Sequence, residues 1–459
     1  MPARVDPVNP VDSIAAIATP PGSGGLAVVR ISGRHALAIA DRIFRPGSRE
    51  GLKPSVAPSH TVHYGHIHRD DLVIDEVLLT VLRGPRTYTR EDTVEIGCHG
   101  GTRVTRDVLA TALAAGARMA EPGEFTRRAF LNGRLDLAQA EAVADLIHAR
   151  TDRALRAAHA QLAGHLSRRI DALRDSLLLV LAHVEAHIDF PDEDIDPDTE
   201  AELLERVETV LADSITITRS ARQGRLLREG ARVALVGAPN AGKSSLLNRL
   251  LGHDRAIVSP VAGTTRDTIE DAVDIHGFPV VFVDTAGLRA SEDVIEAEGI
   301  RRSFEAAQRA DLVVHLADLA DEPPSPLVVS DIPEPRLLRV GNKADLPAHP
   351  DFAAQPDWLR ISCHTGMGIE PLKQAIAGRL QGEGGGDAED IAIGTRHLEA
   401  LRRAIQGLEW VRDSMRAGRS LDLVAADLRV AVQAVGEIVG KTTTDDLLDR
   451  IFSAFCIGK

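Results

Sequence analysis

The sequence predicts a multidomain chain: an N-terminal α+β domain, an all-α helical domain, and an α/β domain inserted into the helical one. Three observations carry this. Residues 1–125 mix short apolar runs with Gly and Pro punctuation. Residues 126–229 and 383–459 place apolar side chains at helical spacing. Between them, residues 230–382 alternate strand-like runs with helical segments, the pattern of a parallel sheet covered on both faces.

Composition bounds the answer. A chain of 459 residues, 44% hydrophobic and 26% charged, can bury several separate cores. Neither a membrane-length apolar run nor the basic start and apolar core of a signal peptide is present, so the expectation is a cytoplasmic protein with no membrane contact. Cys98, Cys363 and Cys456 lie far apart without CxxC spacing, which argues against a structural zinc site or a disulfide framework. The net charge of −14 leaves no global footprint for nucleic acid, so RNA contact needs a local basic patch or a partner.

In the first segment, "GGLAVVRISG", "EVLLTVL" and "TVEIGCHGG" read as strands and residues 103–116 as a helix. His66 and His68 share a strand face, which leaves them open as metal ligands or as ordinary surface histidines. From Phe125 onward, Leu162, Leu166, Ile170, Leu173, Leu177, Leu181, Val184 and Ile188 form one apolar stripe of a long helix. "DFPDEDIDPD" ends it; its prolines and lack of His or Cys ligands suit a solvated turn better than a metal site. "RVALVG", "PVVFVD", "DLVVHLA", "RLLRVG" and "WLRIS" are the strands of the α/β segment, and "QGEGGGDAED" is the linker that closes it.

Gly237–Ser244, "GAPNAGKS", matches the phosphate loop G-x-x-x-x-G-K-[ST] between a predicted strand and a predicted helix. Asn240, Ala241, Gly242, Lys243, Ser244 and Ser245 then face the phosphates with backbone N–H groups, the Lys243 ammonium and the Ser244 hydroxyl, the last of these on Mg²⁺. "GTTRD" supplies Thr265 as a second hydroxyl for Mg²⁺. "DTAG" supplies Asp284, Thr285, Ala286 and Gly287 near the metal and the γ-phosphate. "NKAD" selects the base, since the Asp345 carboxylate can accept from both N–H groups of the guanine edge beside Asn342 and Lys343. Adenine lacks the 2-amino donor, and a polar site left unpaired in this way rejects the wrong partner by roughly 10⁴-fold. Ser362, Cys363 and His364 follow the next strand and back the base. The segment therefore reads as a P-loop G domain that hydrolyses GTP. After the D-x-x-G glycine the chain has Leu288, which cannot orient water, and no internal arginine finger is evident, so another cation and another water partner are needed.

These motifs, with "EPGEFTRRAFLNGRLDLAQAEAVADLI" and the closing "DRIFSAFCIGK", resemble the MnmE (TrmE) family of tRNA-modification GTPases across essentially the whole chain. The resemblance implies an N-terminal folate-binding and dimerisation domain (1–125), a helical domain in two parts (126–229 and 383–459) and an inserted G domain (230–382). It implies a homodimer that works with a FAD-containing MnmG-type partner on the C5 position of the tRNA wobble uridine, with 5-formyl- or 5,10-methylene-tetrahydrofolate as the one-carbon source. FAD belongs to the partner only. It places K⁺ where an arginine finger would reach, on Asn240, Ser259, Val261 and Thr264; Ser259 stands where threonine is expected. It assigns the water-positioning acid to Glu296, where the residues alone leave Glu292 and Glu298 open. Folate contacts fall on Arg30, Glu95, Arg134 and Lys459, with Arg134 at a position where lysine is common. Cys456 is read as a buried thiol beside that pocket, the alternative being a nucleophile. Two competing readings are a ribosome-assembly GTPase switch without modification chemistry and a folate-binding scaffold with weak hydrolysis.

Overall fold

A computed structural model describes residues 12–190, 200–253, 272–284, 307–321, 332–353, 357–382 and 393–459. Two compact units result. The first runs through Ala144 and takes in Gly436–Lys459; the second comprises the described residues between Asp145 and Val435.

The first unit is built on β1 (Ser13–Ile17), β2 (Gly24–Gly33), β3 (Phe44–Pro46), β4 (Thr61–Arg69), β5 (Leu72–Leu82), β6 (Thr93–Gly100) and β7 (Arg118–Met119). They form one sheet in the order β3-β4-β5-β6-β2-β1-β7, antiparallel except for β1 with β7. Strand alternation sends Ala27, Val29 and Ile31 of β2 into a core shared with α1 (Ala36–Ile43) and α2 (Thr102–Ala114). Arg30 and Ser32 face the other side. There Phe125 of α3 (Glu124–Leu131) is fully buried with Ile14, Ala16 and Ala120. The change of texture read at Phe125 thus does not divide the compact units, because Phe125 and the start of α4 (Leu137–His148) pack with residues of the first unit. Leu137 and Ala140 form a small core with Leu448, Phe452 and Phe455, the last two at and just beyond the end of a late helix, Asp445–Phe452.

Glycines hold the final segment close. A Cβ on Gly458 (φ +96°) would lie 2.4 Å from the Ile17 carbonyl oxygen, and one on Gly123 (φ +66°) 2.6 Å from that of Phe452. Only glycine satisfies both the backbone angle and the approach.

In the second unit, α5 (Asp152–Leu162) and α6 (His165–Asp189) replace the single helix expected there. Gly164, at φ +79°, breaks the stripe between Leu162 and Leu166. Leu166, Ile170, Leu173, Leu177, Leu181 and Val184 are buried along α6 as predicted, with Ile188 half-buried. Next come α7 (Glu200–Arg219) and α8 (Ala221–Glu229), then a sheet of β8 (Ala231–Val236), β9 (Ala272–Ile275), β10 (Phe278–Asp284), β11 (Leu312–Asp318), β12 (Leu337–Asn342) and β13 (Leu359–Arg360). Its order is β13-β12-β11-β8-β10-β9, parallel except that β9 runs antiparallel to β10. The exception follows from a tight turn at His276–Gly277, both with positive φ, which returns the chain at once. The helices α9 (Lys243–His253) and α10 (Ile369–Gln381) line this sheet's core through Leu246, Leu250, Leu372 and Ile376. Beyond it, α11 (Thr395–Arg416) packs on α7, and α12 (Leu421–Val439) follows. Gly407 of α11 faces Asp427 and Ala431 of α12.

Candidate functional site

Two clusters emerge, one in each unit. In the second unit, the phosphate loop leaves β8 and enters α9. A Cβ on Gly237 would lie 2.1 Å from the Leu316 carbonyl oxygen, and one on Gly242 (φ +97°) 2.2 Å from Asn342 Nδ2, so both glycines are dictated by close approach. Asn240 is left-handed at φ 66°. The Lys243 ammonium donates to the carbonyls of Gly237 (2.8 Å) and Ala238 (2.9 Å), which turns it over the loop. Ala241 is buried, Ser244 and Ser245 are exposed, and Asp284 ends β10 opposite Leu235 of β8.

Asn342 joins this loop to the base side. Its buried Nδ2 donates to the Ala241 carbonyl (3.0 Å), and its Oδ1 accepts from the Cys363 N–H (3.1 Å). Lys343, left-handed at φ 63°, pairs with Asp318 at the end of β11, which raises its pKa. Asp345 is exposed, and the Ser362 hydroxyl beside it holds its carboxyl below the usual range. His364 is exposed and Cys363 half-buried. The donor set fits a nucleotide with Mg²⁺: a glycine cradle, an ammonium aimed into it, and an exposed hydroxyl on Ser244. Asp318 is the residue that sequence reasoning missed here; a lone acid at a strand end carries no motif. Ser259, Val261, Thr264, Thr265, Thr285, Ala286, Gly287, Leu288, Glu296 and the acidic stretch 192–198 lie outside the described residues.

In the first unit, Arg30 of β2 and Glu95 of β6 are direct cross-strand partners, and their side chains pair at 2.8 Å. Arg30 also donates to the Gly458 carbonyl at 3.4 Å. The segment Phe455–Lys459 is thereby brought to β2, with Lys459 half-buried. Arg134 donates to the Tyr88 carbonyl at 2.8 Å, and its guanidinium carbon lies 4.7 Å from the Tyr88 ring centroid. The Arg30 guanidinium stands 5.6 Å from the Phe125 ring and 6.0 Å from that of Tyr88. Two guanidinium groups, one carboxylate and two aromatic rings form a cluster with the chemistry to hold a flat polar ring system bearing carboxylates. Tyr88 and Phe125 escaped sequence reasoning, since a lone aromatic reads equally well as core.

The same unit holds a partly buried ion network. Arg128 reaches Asp12 (2.6 Å), Glu91 (3.1 Å) and Glu124 (3.1 Å), and Glu91 accepts from Ser32 at 2.9 Å. The arginines Arg128 and Arg118 offset the burial that opposes ionisation of Glu124, and its pKa ends below the usual range. One expectation is corrected. Cys456 is exposed, because its backbone carbonyl is what docks, accepting from Gly123 and Lys459 N–H groups. His66 and His68 are half-buried on β4, their rings 6.3 Å apart, and burial lowers the His68 pKa.

With Lys243 turned over a strand-to-helix loop, and Asn342 binding that loop to the base side of a mainly parallel sheet, the second unit has the layout of a P-loop GTPase. The described helices include none long and apolar enough to cross a membrane. The family model "GTP-binding protein TrmE N-terminus" matches residues 13–134, and "MnmE helical domain" matches residues 137–456. Similar over 98% of this chain are proteins named tRNA modification GTPase MnmE. The one from Chloroflexus aurantiacus is 48% identical and covered over 100% of its length; that from Enterococcus faecalis is 44% identical and covered over 98%. Among solved structures, the FeoB G domain from Methanococcus jannaschii is 26% identical, covering 33% of this chain and 98% of that one, with a TM-score of 0.25. The chain belongs to the MnmE (TrmE) family.

Proposed function

We propose that this chain is a GTP hydrolase of tRNA modification that also holds a reduced folate. With a FAD-containing MnmG-type partner it installs an aminomethyl-type group, carboxymethylaminomethyl included, at C5 of the wobble uridine (position 34). The observation that carries this is the presence of two unlike sites in one chain. One has the polar geometry for GTP; the other brings Arg30, Glu95 and Arg134 to two aromatic rings beside the docked Gly458 carbonyl, which suits a pterin with its carboxylates, and in this reading Lys459 completes it. Hydrolysis alone has no use for the second site.

In this reading, Ser244 and Thr265 hold Mg²⁺, and Asn240, Ser259, Val261 and Thr264 hold K⁺, which supplies positive charge between the β- and γ-phosphates. Glu296 positions water in place of the absent glutamine. The protein acts in the cytoplasm as a homodimer through its N-terminal domain. An exposed apolar band supports that face: Val62, Tyr64 and Leu78 are 60%, 52% and 51% exposed, and Leu26 is 64% exposed near Gly97. Tyr64 stands opposite Leu78, and Leu78 opposite Gly97, so with Leu26 on β2 the band spans four strands. The net charge of −14 disfavours tight independent tRNA binding, so the partner supplies much of the basic surface. A GTP-ordered switch in the inserted G domain then moves the attached helices.

The test is reconstitution with tRNA, GTP, a reduced folate and the partner, followed by nucleoside analysis. Modification should need both proteins and hydrolysable GTP. Full modification by this chain alone, or by the pair with a non-hydrolysable analogue, would refute the proposal.

A further inference from the structure

We infer that Tyr88 is a positioning residue of the folate site, whose ring holds the Arg134 guanidinium ready for an anionic, planar ligand. The inference rests on the folate reading above and adds a residue to it. Arg134 is exposed, and a long exposed arginine side chain samples many rotamers. Here one residue restrains it twice, through the Tyr88 carbonyl at 2.8 Å and the ring face at 4.7 Å.

The ring is itself fixed. Its hydroxyl bonds the Thr126 hydroxyl at 2.9 Å, on the helix that carries Phe125 beneath Arg30. The backbone beside it is tied down as well: Asn132 donates to the Thr89 carbonyl at 2.6 Å, and Arg90 donates to the Asn132 carbonyl at 2.9 Å. Tyr88 therefore links Arg134 to the helix beneath Arg30, and its ring also reaches Arg30 at 6.0 Å, the outer limit of a cation–π contact. Guanidinium is the cation suited to this, since it is planar, stacks on a ring and keeps N–H groups in its plane free to meet carboxylates. Prior ordering of such a side chain removes an entropic cost from binding.

The experiment is calorimetric titration of the full chain with 5-formyltetrahydrofolate. Tyr88→Leu should raise the Kd about tenfold, the weight of a partly desolvated cation–π contact plus the lost ordering. Tyr88→Phe keeps the ring and should stay within about threefold of wild type, a rescue that a mere space-filling role predicts equally for leucine. A double-mutant cycle with Arg134→Ala separates the two roles: once the ring is gone, removing Arg134 should cost much less than it does in wild type. Wild-type affinity in Tyr88→Leu, or strictly additive effects of the two substitutions, overturns the inference and leaves the folate reading standing. Absence of folate binding by the wild-type chain overturns both.

Discussion

Replacing His315 with leucine should make the nucleotide-binding unit less sensitive to acid, by an amount the structure sets. His315 lies on β11 directly opposite Arg339 on one side and Val236 on the other. It is 4% exposed, its Nδ1 has no hydrogen-bond partner among the described residues, and its ring tilts against Trp358 at 5.3 Å. Burial, and then the Arg339 guanidinium, push its pKa down from 6.5 to about 4. The neutral ring is thus the folded form. The unfolded chain binds the extra proton between pH 6.5 and 4, so stability is whole above pH 6.5 and falls as pH drops toward 4. Each tenfold weakening of proton affinity is worth about 1.4 kcal/mol, so the loss on reaching pH 4 is about 3 kcal/mol. The assay is urea unfolding followed by Trp358 fluorescence in a Trp410→Phe background, since the chain has only two tryptophans. Between pH 7 and 5, where carboxylates contribute less, wild type should lose about 2 kcal/mol more than His315→Leu. Parallel pH profiles for the two proteins would show that the His315 proton is not what couples this strand to acid.

Other outcomes follow from the same sites. Asn342→Ala leaves the buried Ala241 carbonyl and the Cys363 N–H without their partner, so GTP affinity measured by fluorescent-nucleotide titration should fall by about 2 kcal/mol, roughly thirtyfold; a change under threefold would mean the two loops hold their places unaided. GTP turnover should need K⁺ and drop strongly in Na⁺ at matched ionic strength, with nucleotide affinity little changed; equal rates in both salts would remove K⁺ from the reading. Glu296→Ala should keep GTP affinity and lose turnover by roughly 10², whereas unchanged single-turnover hydrolysis would return the assignment to Glu292 or Glu298. Deleting Lys459 should weaken reduced-folate binding in calorimetry and leave GTP turnover of the isolated protein near normal; unchanged folate affinity would detach the Phe455–Lys459 segment from the site.

Much of this protein is legible without coordinates because its signals are local. A phosphate loop declares itself through glycine spacing at a strand–helix junction, and "NKAD" through the one acid able to meet both guanine donors. The stripe along α6 follows from helical period alone. What the tertiary structure decided is what meets across the chain. Arg30 and Gly458 lie 428 residues apart and Asn342 and Ala241 101 apart, and no periodicity encodes either pairing. The apolar stripe runs past Gly164 without interruption in sequence, and only the positive φ of that residue reveals a break. Tyr88 could have been core, and becomes a candidate for function only because α3, anchored by Arg128 and Phe125, sets Arg134 over its ring. Local conformational preference is written residue by residue, whereas a binding surface is assembled by packing distant segments against a common sheet, and that packing exists only in the folded chain.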